Sequence, residues 1–250
     1  MNIITKKYGL IGFPLSHTFS PDYFKKKFDS LGMTDTQYDA YPLATIEEVC
    51  PLFTQLKGLN VTIPYKKTIM PFLDQLSIEA KAIGAVNTVS IAPDGTTIGY
   101  NTDVYGFEQS LVPLLRPNHK KALVLGTGGA ALAVCFVLKR LNIDFVLVSR
   151  QEKEGVFTYN KLTESIIKSH HLIINTTPVG MSPQSDKCPN IPYEAIGTSH
   201  ILYDLVYNPT ETLFLKKGKV QGAVGKNGLE MLHLQAEKSW DIWQQKDKDD

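Results

Sequence analysis

Apolar runs alternate with amphipathic stretches along nearly the whole chain, the rhythm of strands and helices in a βαβ protein. Residues 7–13 (KYGLIGF) read as a strand. Ser20-Pro21 then reads as N-cap and first helical residue, with Phe24, Phe28 and Leu31 on one face and Gly32 closing the helix. Residues 36–42 alternate as a second strand. Thr45 and Glu48 form a capping box ahead of Val49, Leu52, Phe53 and Leu56. GLNVTIP (58–64) is the next strand, and two short helical stretches fill 66–83. Residues 86–92 and 97–100 form a hairpin about Pro93-Asp94-Gly95. A helical segment, 104–115, runs into the polar stretch Arg116-Pro117-Asn118-His119-Lys120, where the texture changes. KALVLG (121–126), continuously apolar, is a buried parallel strand followed by a helix over 130–141. DFVLVS (144–149), HLIINTT (171–177) and HILYDLVY (200–207) are further strands. Leu232, Ala236, Trp240 and Trp243 recur at helical spacing in a last helix, where both tryptophans read as packing, and the tail KDKDD is solvated.

Composition narrows the class. The chain has 250 residues, 43% hydrophobic and 20% charged, enough for a core and for one to two domains. Lys+Arg 26 against Asp+Glu 25 leaves +1, which argues against a large basic field for nucleic acid and against a polybasic membrane anchor. No run approaches the ~18 apolar residues of a membrane span. The opening MNIITKKYGLIG does not read as a signal peptide. Cys50, Cys135 and Cys188 fit neither a disulfide framework nor zinc spacing. His170-His171 has no partner at metal-ligand spacing, and His17 reads as structural. The expectation is a reduced, cytoplasmic α/β protein with no metal.

Chemistry enters with Gly126-Thr127-Gly128-Gly129-Ala130-Ala131, which follows a strand, opens a helix and fits G-x-G-x-x-[G/A]. The first glycine makes a tight turn, the second lets backbone N–H groups approach a pyrophosphate, and Ala131 allows close helix–strand packing. The alternative is a plain glycine-rich turn. About 20 residues on, an NAD site places Asp or Glu at the second strand's end. Here that strand ends Val148-Ser149-Arg150. A guanidinium there pairs with a 2′-phosphate, which favours NADP; the rival reading is a solvated helix cap.

Polar residues also stand where N-terminal strands end: Thr18, Ser20, Asn60, Thr62, Lys66, Asn87 and Asn101-Thr102-Asp103. Hydroxyls, amides, one ammonium and one carboxylate suit a small polyhydroxylated acid. Each has a plainer explanation alone: Ser20 and Asp103 as N-caps, Thr62 as a strand residue, Asn87 as a turn former, Lys66 as a surface charge.

Taken together, these segments resemble the shikimate dehydrogenase family over nearly the whole chain. Its S-x-S-P opening is similar to Thr18-Phe19-Ser20-Pro21 after Pro14. N-V-T-x-P-[FY]-K stands as Asn60–Lys66, G-A-x-N-T as Gly84–Thr88 and N-T-D as Asn101–Asp103. The glycine loop, I-N-T-T-P-x-G-M (Ile174–Met181), Y-D-x-x-Y-x-P (Tyr203–Pro209) and G-x-x-M-L-x-x-Q-A (Gly228–Ala236) follow in family order. The resemblance implies that Thr18, Ser20, Thr62, Asn87 and Gln235 hold the hydroxyls and carboxylate of shikimate, with Tyr207 nearby. It makes Lys66 and Asp103 the catalytic pair. It puts Thr176, Leu205 and the backbone of Gly228 near NADP, beside Gly126, Thr127, Gly128, Gly129, Ala130, Ser149 and Arg150.

The implied fold is α/β and two-domain, with a cleft between the domains. Residues 1–104 form an α/β substrate domain onto which a C-terminal helix, 229–250, packs back; residues 105–228 form a Rossmann-like NADP-binding domain. The implied reaction is reversible reduction of 3-dehydroshikimate to shikimate, in chorismate and aromatic amino-acid biosynthesis. The expected assembly is a monomer or a homodimer. Departures are Thr18 for the first serine of S-x-S, Val104 for the glycine after N-T-D, and Ser149 and Gln151 flanking Arg150. Three alternatives stand beside this reading. An NAD-using quinate dehydrogenase is separable by assaying both substrates with both cofactors. A folate dehydrogenase on the same plan is opposed by Lys66 and Asp103. A non-catalytic NADPH-binding regulator is dismissed by any turnover.

Overall fold

The computed structural model describes residues 6–15 and 18–245. Ser16, His17 and the ends 1–5 and 246–250 lie outside the described residues, and with them the expectations for His17 and the KDKDD tail. The elements are β1 (Lys6–Gly12), α1 (Phe19–Ser30), β2 (Thr36–Pro42), β3 (Gly58–Val61), β4 (Gln75–Leu76), α2 (Ile78–Ile83), β5 (Thr88–Ile91), β6 (Thr97–Tyr100), α3 (Asp103–Leu111), β7 (Lys121–Leu125), α4 (Gly129–Arg140), β8 (Asp144–Ser149), β9 (Val156–Thr158), α5 (Glu164–Ser169), β10 (Leu172–Asn175), β11 (Ile201–Asp204), α6 (Leu213–Val220), β12 (Val224–Asn227) and α7 (Leu229–Gln245). The chain forms two compact units. One holds the chain to Thr102 and the part of α7 from Ala236 onward; the other is Asp103–Gln235. Among the described residues no helix is long and apolar enough to cross a membrane.

The first unit is built on a mixed sheet in the order β2-β1-β3-β5-β6-β4. β1 runs parallel to β2 and β3, whereas β3–β5 and β5–β6 are antiparallel. Alternate side chains of β1 go to opposite faces, so the sheet has a core on each side. Ile11, Leu59, Val61, Val86 and Val89 meet Val49, Leu52 and Leu56 on one face. Tyr8, Leu10, Phe24, Phe28 and Tyr38 meet Ala236, Trp240, Ile242 and Trp243 on the other. Trp243 stacks on Tyr8 at 4.8 Å and donates its indole N–H to Val89 O at 3.0 Å. The indole lies directly over Gly58, where any Cβ would collide with it. Both tryptophans are thus packing residues, each contributing roughly 2–3 kcal/mol through burial.

The second unit is a six-stranded, wholly parallel sheet in the order β12-β11-β10-β7-β8-β9. Its central strands are buried on both faces, and Leu123, Leu125, Ile173 and Leu202 fill the core with Phe214 and Leu215 of α6. Strand order reverses beside β7, the arrangement of a doubly wound, Rossmann-like sheet.

Several local expectations need correction. α1 starts at Phe19 with Thr18 as N-cap, so Ser20 is not the cap. Pro21 is tolerated within the first turn because N–H groups there have no intrahelical acceptor anyway. That frees Ser20 to turn inward, where it is buried. The capping box is real, with Thr45 N donating to Glu48 Oε1 at 3.1 Å, but the helix it opens is a 3₁₀ helix, Ile46–Thr54, containing Pro51. Helical structure between 66 and 83 shrinks to a 3₁₀ turn at Met70–Phe72 and α2, with β4 between them. Strands β3, β10 and β11 stop two or three residues before their apolar runs do, because the chain leaves the sheet there.

Candidate active site

In the first unit, backbone bonds gather three of the predicted side chains. Val61 N donates to Asn87 O at 2.8 Å, Tyr65 N to Thr62 O at 2.9 Å and Val86 N to Lys66 O at 2.7 Å. The turn after β3 is thereby fastened to the start of β5, which brings Thr62, Lys66 and Asn87 to one end of the sheet. Lys66 and Thr62 are half-buried and Asn87 is buried. The Asn87 amide is oriented by Thr102, whose N–H reaches its Oδ1 at 2.7 Å and whose Oγ1 accepts from its Nδ2 at 3.0 Å. Thr18 caps α1 by position alone, its hydroxyl making no capping bond.

A buried polar network lies behind these residues. Ser20 hydrogen-bonds Tyr38, whose hydroxyl donates to Asn60 Oδ1 at 2.7 Å. Asn60 Nδ2 donates to Ser239 Oγ at 3.0 Å, and Ser239 Oγ lies 2.8 Å from Thr88 Oγ1 and 3.2 Å from Thr102 Oγ1. One continuous chain of hydrogen bonds therefore joins Ser20 to Asn87. Burial pushes the Tyr38 hydroxyl far above the usual phenol range, which keeps it a donor. Asn101 Nδ2 donates to Ala85 O at 2.9 Å, while its buried Oδ1 has no hydrogen-bond partner among the described residues.

In the second unit the predicted cofactor residues all follow strand ends on one edge of the parallel sheet. Gly126 follows β7, Ser149 ends β8 with Arg150 next, Thr176 follows β10, Leu205 follows β11 and Gly228 follows β12. This is the edge where open α/β sheets take ligands. Gly126 has φ +115°, and a Cβ there would lie 2.5 Å from Thr176 Oγ1. Around Gly128 the reverse holds: apart from its own chain neighbours, no atom of the described residues lies within 4 Å of where a Cβ would be. Gly128 N-caps α4 with no side-chain bond, and no acidic residue stands in the first turn. Helix N–H groups and the helix dipole thus face open space that suits an anion. Thr127 is exposed, and Gly129 and Ala130 are half-buried.

Arg150 is exposed and makes no ion pair or hydrogen bond among the described residues. The nearby Glu152 is held by Lys161 at 2.8 Å, which lowers its pKa. Asp103 is buried at the head of α3. Tyr207 is half-buried, its hydroxyl pushed up by burial. Gln235 is half-buried on α7, with Nε2 donating to Leu232 O at 2.9 Å.

Sequence reasoning missed the residues that hold these loops. Asp204, fully buried, accepts from Asn175 Nδ2 at 2.9 Å, Val206 N at 3.1 Å and Thr212 Oγ1 at 2.6 Å. Burial raises its carboxyl to about 6 despite those bonds. Ser239 and Tyr38 were likewise unmarked. Among the described residues no group of three or more His, Cys, Asp and Glu is arranged to hold a metal, and His170 Nδ1 lies 2.8 Å from Ile166 O in its own helix turn.

Comparison with known proteins gives the family. Residues 10–89 match the model of the shikimate dehydrogenase substrate binding domain. The shikimate dehydrogenase (NADP(+)) of Clostridium beijerinckii is 41% identical, covering 95% of this chain and 92% of that one. The crystal structure of shikimate dehydrogenase from Aquifex aeolicus superposes with a TM-score of 0.87 at 34% identity, covering 97% of this chain and 94% of that one. That of shikimate 5-dehydrogenase from Thermus thermophilus, in complex with NADP(H) and shikimate, gives 0.85 at 30% identity over 96% and 93%. The chain belongs to the shikimate dehydrogenase family.

Proposed function

We propose that this chain catalyses the reversible NADPH-dependent reduction of 3-dehydroshikimate to shikimate, with Lys66 and Asp103 as its acid–base pair. The observation that carries the reading is the gathering of Thr62, Lys66 and Asn87 at one sheet end by backbone bonds. Thr18, Ser20, Thr62, Asn87, Gln235 and Tyr207 are the residues assigned to the substrate's carboxylate and hydroxyls. An amide that donates and accepts at once suits neighbouring hydroxyls.

The second unit fits the cofactor. The open space at Gly128 and the start of α4, whose N–H groups no side chain caps, suit a pyrophosphate held by Gly126, Thr127, Gly128, Gly129 and Ala130. Ser149 and the exposed Arg150 suit a 2′-phosphate, Thr176 and Leu205 line the cofactor, and the backbone of Gly228 suits the nicotinamide amide. Bound NADPH supplies the hydride that reduces the substrate's C3 carbonyl. What falls to the chain is the negative charge that builds on the carbonyl oxygen. The Lys66 ammonium donates a proton to that oxygen, and Asp103 is the second acid–base group. In the reverse direction Lys66 accepts the hydroxyl proton with Asp103's help. Small charged reactants and three free thiols support a cytoplasmic setting for the reaction.

The test is a steady-state assay of shikimate and quinate with NADP and NAD, for wild type and Lys66→Ala. Turnover of shikimate with NADP is expected, and Lys66→Ala lowers kcat by ~10²–10⁴-fold with a smaller change in substrate KM. A near-normal kcat in the variant refutes the acid–base assignment.

A further inference from the structure

Gly106 stands in the interior of α3, one turn after Asp103, where alanine would be the better helix former. The reason for glycine is α7. A Cβ on Gly106 would lie 2.5 Å from the carbonyl oxygen of Met231 and 3.2 Å from both the backbone nitrogen and the Cβ of Gln235. Two helix backbones meet here with no side chain between them.

α3 has no room to give way. Phe107 is fully buried and packs edge-on against Tyr203 at 5.0 Å, and Ser110 Oγ lies 2.6 Å from the Tyr203 hydroxyl. Arg140 Nε, on α4, donates to Glu108 at 3.0 Å. With α3 held on that side, a methyl added at 106 pushes on α7 at the turn that carries Gln235.

We infer that Gly106 is a positioning residue: its bare backbone sets where Gln235 stands relative to Asp103. This rests on the roles proposed above for those two residues. Ordinary contact begins at 3.4 Å, so an alanine at 106 requires the helices to part by roughly 1 Å. A misplacement of that size costs on the order of 10²-fold in a reaction that depends on alignment.

The test is a double-mutant cycle of Gly106→Ala and Gln235→Ala, reading kcat, shikimate KM and, by calorimetry, the NADP dissociation constant. Gly106→Ala is expected to raise shikimate KM roughly 10- to 100-fold with NADP binding unchanged. The double variant should be about as impaired as the worse single one, because Gly106 acts through Gln235. Two impaired single variants whose effects multiply overturn the inference but leave the role of Gln235 standing. Gln235→Ala with unchanged KM overturns both. Should Gly106→Ala not fold, the same change in a Phe107→Leu background lets α3 tilt away. It should then fold and keep the KM defect, and normal KM there overturns the inference.

Discussion

Replacing Asp204 separates what its charge does from what its hydrogen bonds do. The carboxylate ends β11, is fully buried and accepts three bonds, from Asn175, Val206 and Thr212. Asn175 Oδ1 in turn accepts from Thr177 N at 3.1 Å and Thr177 Oγ1 at 2.6 Å, so the loops carrying Thr176 and Leu205 both hang from one group. Asp204→Ala strands three buried donors and should cost about 3–5 kcal/mol. Asp204→Asn keeps the shape: its carbonyl accepts from Asn175 and Val206, and its amide donates to Thr212, whose hydroxyl accepts as readily as it donates. The pH dependence has a definite sign. Burial raises the folded-state value from 3.8 to about 6, so the aspartate's contribution is complete below pH 3.8 and is lost as pH rises through about 6. At pH 8 that loss is roughly 3 kcal/mol. The asparagine variant does not titrate, so it should match or exceed wild type at pH 8. Its stability relative to wild type should then fall by about 1.4 kcal/mol between pH 8 and pH 5. Urea unfolding of the three proteins at both pH values measures this, since other titrating groups cancel in the difference. An asparagine variant as unstable as the alanine one refutes the hydrogen-bond reasoning. A difference that does not move between pH 8 and pH 5 refutes the raised carboxyl.

Two further outcomes follow from single side chains. Arg150→Ala should weaken NADP roughly 10-fold, the low end for a charge-assisted bond because the group is exposed, and leave NAD nearly unaffected; equal kcat/KM for both cofactors in wild type contradicts the role of Arg150. His119 accepts from Arg116 N at 2.8 Å through Nδ1 and faces Ser199 O at 3.0 Å through Nε2, so it is held neutral; burial, with His171, Arg116 and His200 around it, lowers its pKa. Its contribution is therefore complete above pH 6.5 and erodes as pH falls, so His119→Gln should flatten the acid limb of the stability curve, and an unchanged limb rules this out.

What could be read from the chain and what could not divide on a physical line. Strands such as 36–42 and 144–149, the 97–100 hairpin strand and the Gly126 loop are specified by residues close in sequence, and their types and spacing give them away. The catalytic candidates were legible for the same reason, since each stands in a short motif. The residues that hold those candidates in place were not. Asn60 stands in a motif, but its partner Ser239 is 179 positions away, and a serine does not by its type say that it is buried. Local rules misled at Ser20, where serine before proline matches a helix cap, because the opposing pull, burial against Tyr38, comes from another element. A signal was nonetheless present. Ser239 falls three residues after Ala236 and four before Trp243, on the apolar face of α7, and Asp204 is the one carboxylate in the apolar run HILYDLVY. A polar group kept inside an apolar stripe costs several kcal/mol unless it is hydrogen-bonded. Such a residue therefore implies a distant partner even when the partner cannot be named, and in this chain those partners stand in the strands and loops that carry the candidate site.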